Sequence, residues 1–127
     1  MNVREADNDE RLAVRSLFDV AMLQVPDLLS MELLVAVVDD RVVGAAAVDA
    51  DGIGEPGEIR AIAVRPRRRG QGVGSTLVAA AEERWTPVTA EFDERVRPFY
   101  EALGFDVEPS GDGRIHGVKR TTSDVER

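Results

Sequence analysis

The chain has 127 residues, enough for one domain whose core forms without disulfides or metal. It has no cysteine and a single histidine, His116, which excludes disulfide frameworks, thiolate nucleophiles and cysteine or multi-histidine metal sites. Sixteen basic residues against twenty-four acidic ones leave a net charge of −8, which argues against nucleic acid as the main partner, because phosphate contacts drive that binding.

The first residues, "MNVREADNDER", are polar and do not read as a signal peptide, and no apolar run approaches the ~20 residues that span a bilayer. A soluble cytoplasmic protein is expected, with no membrane partner. Val3 to Ala6 reads as a first short strand. Asp7, followed by Glu10, supplies a helix start. Val14, Leu17, Phe18, Ala21 and Val25 keep helical spacing and predict a helix to about Gln24. "VPDLLSM" breaks it, with room for one more short helical turn. "LLVAVV" (Leu33 to Val38) is a buried strand, "DDR" turns it, and "VVGAAAV" (Val42 to Val48) returns. A turn-rich loop leads to the strand "EIRAIAV", Glu58 to Val64.

A second long helix follows, with Val73, Leu77, Ala81 and Trp85 on one stripe beside Ala80; the stripe reads as core. "PVTAEF" (Pro87 to Phe92) is a strand. "PFYEALGF" is a short helix, with Pro98 suited to its first position and Gly104 to its left-handed cap. "DVEP", "SGDG" and "RIHGVKR" form a closing hairpin, and "TTSDVER" is expected to fray. The order β-α-β-β-β-α-β-α-β-β predicts a mixed α/β fold over residues 1–127: one central mixed sheet of about seven strands flanked by helices.

One segment stands out. "VRPRRRGQGVGSTL" places Arg65, Arg67, Arg68 and Arg69 just before Gly70, Gly72 and Gly74, between a strand and a helix. A helix start offers unpaired N–H groups and the positive end of the dipole, which together bind phosphate. The glycines let a ligand approach the backbone, and Arg67, Arg68 and Arg69 add positive charge. A charge run is more often a solvated face, so the run carries both readings. A P-loop needs Gly-Lys, which is missing, and a dinucleotide fingerprint needs its third glycine one residue later than Gly74.

The segment resembles the acetyl-CoA motif of the GNAT superfamily of N-acetyltransferases, Q/R-x-x-G-x-G/A, here Arg69-Gly70-Gln71-Gly72-Val73-Gly74. "IRAIAVRP" resembles that family's fourth strand and "FYEALGF" (Phe99 to Phe105) its second signature. The order of elements matches from Val3 to Arg120. The resemblance implies acetyl-CoA as cosubstrate. The backbone of Ile62, Ala63 and Val64 would pair with the pantetheine arm, and the amides of Arg69, Gly70, Gln71, Gly72, Val73, Gly74 and Ser75 would hold the pyrophosphate. The fourth and fifth strands would be parallel and splay apart. Tyr100, the only tyrosine, sits where the family places its general acid, and a phenol with a pKa of ~10 makes proton transfer to a thiolate mild; its other reading is a packing residue beside Phe99 and Leu103.

Glu58 resembles the base glutamate of the histone-modifying branch, and also reads as a strand-end carboxylate facing water. Glu91, His116 and ordered water are rivals for the base. The implied activity is acetyl transfer from acetyl-CoA to a primary amine, on a small molecule or a protein, by direct attack in a ternary complex without metal. The alternative is a catalytically weak acyl-CoA-binding or protein-interaction module. The short connection "QVPDLLSM" favours an open site for an extended amine, and the acidic balance favours a cationic one. A homodimer is left open.

Overall fold

Apolar runs such as "LLVAVV" and "VVGAAAV", joined by tight turns, build the centre of the sheet. The computed structural model describes residues 1–21, 23, 25, 28–111 and 113–119. Its elements are β1 (Asn2–Glu5), α1 (Arg11–Val20), β2 (Glu32–Val38), β3 (Arg41–Ala50), β4 (Gly57–Val64), α2 (Val73–Arg84), β5 (Val88–Asp93), α3 (Arg97–Ala102), β6 (Phe105–Pro109) and β7 (Arg114–Lys119). This is the predicted order. Short 3-10 turns cover Asn8–Glu10, Leu28–Ser30, Pro66–Arg68 and Glu94–Val96. The expected fraying of 121–127 lies outside the described residues, as do Gln24, Pro26, Asp27, Asp112 and Arg120.

The seven strands form one sheet in the order β1-β2-β3-β4-β5-β7-β6. Only β4 and β5 pair in parallel; every other neighbouring pair is antiparallel. The β2–β3 turn places Asp39 and Asp40 at φ of 52° and 64°, the left-handed pair of a two-residue hairpin. The closing hairpin docks by its second strand, so β7 lies inside the sheet and β6 forms the edge.

The two faces carry separate cores. Val14, Leu17 and Phe18 of α1 meet Val35, Ala45, Ala47, Ala61 and Ala63 on what we call the front face. On the back face Val73, Leu77, Ala81 and Trp85 pack with Leu34, Ile59, Ile62, Phe92, Tyr100, Phe105 and Ile115. Trp85 fits tightly, since a Cβ on Gly57 would lie 2.8 Å from its own Cβ.

α1 is shorter than its periodicity predicts. It ends at Val20, and the Leu23 N–H reaches back to the Phe18 carbonyl at 2.9 Å, a six-to-one bond that closes a helix end. Val25 is still buried in the α1 cluster, although it lies beyond the helix. At the other end, the Asp7 N–H donates to Glu10 Oε1 at 2.8 Å, as the Asp7/Glu10 spacing predicts, but the pair opens a 3-10 turn and α1 proper begins at Arg11. Among the described residues no helix is long and apolar enough to cross a membrane.

Candidate active site

The parallel pairing of β4 and β5 is short. It runs from Gly57 opposite Val88 to Ile59 opposite Ala90 and then stops. The cause lies on the other side of β4. Against β3, Ile59 pairs with Val48 and Ala61 with Ala47, so Arg60 is an extra residue and the strand bulges there. A bulge bends its strand and raises the local twist. Beyond it, Ala61 to Val64 stay paired to β3 while their other edge has no strand partner. The gap opens into a cleft of about 720 Å³, lined by Ala61 to Val64 on one side and by Glu91, Phe92, Phe99 and Tyr100 on the other. Ala21 and Leu23, at the end of α1, flank it, and Arg60 and Arg114 also line it.

Of the Arg/Gly segment, Arg69 lines this cleft, and Gly70 to Ser75 follow it into the start of α2 without lining the cleft themselves. Gly72 caps α2 in the left-handed region at φ +81°, and Gly70 lies at φ +79°. A Cβ at either residue would have no atom within 4 Å, so both face open space. The first helical bond runs from the Thr76 N–H to the Gly72 carbonyl at 3.0 Å. The N–H groups of Val73, Gly74 and Ser75 precede it and are the unpaired donors of a helix start.

Gly74 differs from the other two glycines. A Cβ there would meet Leu103 Cδ2 at 3.2 Å, so its missing side chain admits α3 rather than a ligand. The arginines divide as well. Arg69 Nε reaches back to the Val64 carbonyl at 3.4 Å and lines the cleft, whereas Arg65 Nε binds the Val42 carbonyl at 2.7 Å.

A free strand edge beside a glycine-capped helix start thus sits where the sequence resemblance puts it. A family model described as an acetyltransferase (GNAT) domain matches residues 30–107, more than half of the chain. The chain belongs to the GNAT acetyltransferase family. Solved structures of the same fold include Ard1 from Thermoplasma volcanium, with TM-score 0.70 and 20% identity over 94% of this chain and 98% of that one. Naa50 of Arabidopsis thaliana, in complex with the bisubstrate analogue CoA-Ac-MVNAL, gives TM-score 0.70 and 16% identity over 94% and 97%. An aminoglycoside 6'-N-acetyltransferase complexed with coenzyme A gives 0.66 and 18% over 94% and 96%. At these identities the likeness shows the fold. No curated protein matches the sequence.

In this GNAT domain Tyr100 is both a packing residue and a cleft residue. It is 4% exposed, stacks on Phe92, and meets Phe99 and Phe105 edge-on at 5.3 and 5.4 Å. Burial pushes its phenol well above the ordinary value, and the Arg114 guanidinium opposes the shift. A phenol so raised is a weaker acid than the free-phenol value suggests. It keeps its proton and acts best as a hydrogen-bond donor.

Glu58 is not brought to the cleft lining. It sits on the stretch of β4 that is still paired to β5, opposite Thr89, and its Oε1 lies 3.3 Å from Arg60 Nε. Arg60 also binds Asp49 at 3.2 Å. Glu91 stands two residues past Thr89, on the same face of the sheet, and does line the cleft. Its Oε2 is 3.9 Å from His116 Nδ1. Among the described residues no group of three or more histidines, cysteines and carboxylates is placed to hold a metal ion. The bulge at Arg60 and the wall formed by Arg114 and Phe92 carry no signal in a single sequence, because strand register decides them.

Proposed function

We propose that this GNAT acetyltransferase moves an acetyl group from acetyl-CoA to a primary amine by direct attack in a ternary complex. The observation that carries the reading is the divergence of β4 from β5 beside the glycine-capped start of α2. The free edge of Ile62 to Val64 pairs with the amide-bearing pantetheine arm, as another strand would. The amides from Arg69 to Ser75, with the guanidinium of Arg69, hold the pyrophosphate. Gly70 and Gly72 leave the space that a pyrophosphate needs. The thioester then lies between the diverging strands, near Tyr100.

Tyr100 donates a hydrogen bond to the sulfur as it leaves with its negative charge. We assign the base role to Glu91 in place of Glu58, because Glu91 lines the cleft, whereas Glu58 does not and its carboxylate is paired with Arg60 at 3.3 Å. Glu91 takes the proton that the ammonium form of the acceptor must lose before it attacks. The complexes of Naa50 with a peptide-bearing analogue and of the aminoglycoside acetyltransferase with coenzyme A support amine acetylation on this fold.

The deciding experiment pairs calorimetry with coenzyme A and a thiol-release assay with acetyl-CoA over polyamines, amino acids, aminoglycosides and peptide N-termini. Binding with amine-dependent thiol release is expected. Binding without release from any amine identifies a CoA-binding module, and absence of binding refutes both.

A further inference from the structure

The cleft carries a charge pattern that the whole chain does not. A net charge of −8 favours a cationic acceptor. Beyond Arg69, however, the cleft is lined by three arginines, Arg60, Arg95 and Arg114, against two carboxylates, Glu91 and Asp93. Asp93 is engaged in capping, since its Oδ1 accepts the Arg95 N–H at 3.0 Å. That leaves the Glu91 carboxylate to meet an ammonium group.

Two of the arginines flank Glu91. The Gly57 N–H donates to the Pro87 carbonyl at 3.0 Å, and backbone groups alternate between the two edges of a strand, so the carbonyls of Pro87, Thr89 and Glu91 all face β4. Pairing ends at Ala90, so the Glu91 carbonyl is the first to open into the gap. The Arg114 guanidinium takes it, with Nη2 at 3.0 Å, and stands near enough to Tyr100 to act on its phenol. Across the gap, Arg60 is the first β4 residue past the last ladder pair, as Glu91 is the first on β5. Its Nη2 lies 3.2 Å from Asp49 Oδ2 and its Nε 3.3 Å from Glu58 Oε1. These pairs orient the guanidinium and leave Nη1 to a ligand.

We propose that the acceptor is a free amino acid, whose carboxylate is bound by Arg114 and Arg60 while its amine lies at Glu91. The inference rests on the acetyl-transfer reading above. An amino acid carries its ammonium and carboxylate on one carbon, which matches a carboxylate with guanidinium groups at its side. A guanidinium is a planar fork that fits a carboxylate in two-point contact. A peptide N-terminus offers a neutral amide at that place, and a polyamine offers a second cation, which Arg114 repels. In the transfer the amine nitrogen bonds to the acetyl carbon and the thioester C–S bond breaks. The products are the N-acetyl amino acid, the coenzyme A thiol and one proton released to water.

The test is steady-state thiol release at pH 7 on the intact chain with acetyl-CoA. The probes are glycine, L-alanine, L-leucine and L-glutamate, each beside its α-amide, with putrescine added. Each pair differs only in the carboxylate, and the amide has the less basic amine, so a preference for the acid is not a preference for free amine. The best amino acid is expected to exceed its amide at least tenfold in kcat/KM. Arg114→Ala should lower kcat/KM for that amino acid about 10- to 10²-fold, mainly through its KM. The same variant should leave the amide and the KM for acetyl-CoA at parental values. Arg114→Lys, which keeps the charge without the fork, falls between, and Arg60→Ala gives a smaller loss of the same kind. A parent that uses amides or putrescine as well as amino acids overturns the inference alone. So does an Arg114→Ala enzyme that loses equally with acid and amide, which makes Arg114 a strut of β5. A parent that binds CoA and releases no thiol with any amine overturns the acetyl-transfer reading and this inference with it.

Discussion

Tyr100 lies flat on Phe92, ring centroids 4.1 Å apart and planes 4° from parallel. The stack holds the phenol at the wall of the cleft and keeps it out of water. Tyr100→Phe keeps the stack and removes only the hydroxyl, so the melting temperature near pH 7 should hold. If the hydroxyl serves the departing sulfur, kcat should fall by about 10² or more with CoA affinity unchanged. The raised phenol pKa gives a second readout. The folded value lies above the unfolded one of about 10, so stability is fully present below pH 10 and is lost above it, where only the unfolded phenol ionises. Melting curves should therefore show the parent losing stability above pH 10 faster than Tyr100→Phe. Parallel curves with parental kcat would make Tyr100 a packing residue only.

The glycines of the cofactor motif should separate into two kinds. Gly72→Glu places a carboxylate into open space where the pyrophosphate is proposed to sit, and forces a non-glycine residue to φ +81°. The backbone cost is ~1–2 kcal/mol, so the protein should fold with a lowered melting temperature, while calorimetry finds CoA affinity reduced at least tenfold. Gly74→Leu instead drives a side chain into Leu103 and should cost about 1–3 kcal/mol in denaturant unfolding. Unchanged CoA affinity in a folded Gly72→Glu protein refutes the pyrophosphate assignment.

That division also marks where the sequence stops being legible. Strand positions are readable because β2 and β3 are continuous apolar runs buried on both faces while β5 alternates, and α2 is readable from its apolar stripe. The role of Gly74 is not, because its neighbour Leu103 arrives from a helix far along the chain. The bulge at Arg60 is hidden for a similar reason: it exists only as a mismatch between β3 and β4, and register depends on both strands. It is the bulge that ends the β4–β5 pairing, so whether Glu58 or Glu91 faces the opening cannot be read from their spacing. The two carboxylates share a face and a residue type; what separates them is where the ladder stops. The early end of α1 depends on the Leu23 N–H finding the Phe18 carbonyl, which the apolar spacing of Val25 obscures.

The two carboxylates should therefore behave differently in a pH–rate profile. Glu91→Gln removes the proposed base. Its kcat should fall by about 10² at pH 7, and recover as pH rises and the free amine becomes abundant without help. Glu58→Gln should stay within about twofold of the parent across the same range, since its partner is Arg60. The reverse pattern, with Glu58→Gln crippled and Glu91→Gln unaffected, would return the base role to Glu58. A parental profile in both variants would assign deprotonation to water.

The last prediction concerns the hinge between β1 and the first helical turn. Arg4 grips Glu10 with both arms, Nη1 to Oε1 and Nη2 to Oε2 at 2.8 Å each, and the Asp7 N–H adds a third bond to Oε1. These contacts, the Arg4 hydrogen bonds first, lower the Glu10 carboxyl from its ordinary 4.5 to about 2. A carboxylate whose folded pKa is depressed stabilises the fold above its unfolded pKa, and the contribution is lost as pH falls through the folded value. The window here runs from about pH 4.5 down to about pH 2. Glu10 keeps 20% of its side-chain surface and Arg4 37%, so solvent screens part of the effect. Glu10→Gln should melt below the parent at pH 7, and the gap should narrow steadily from pH 4.5 and close near pH 2. Thermal melts of both proteins across that range check it. A gap that stays constant to pH 2 would mean that the carboxylate's charge contributes nothing and that only the shape of the cap matters.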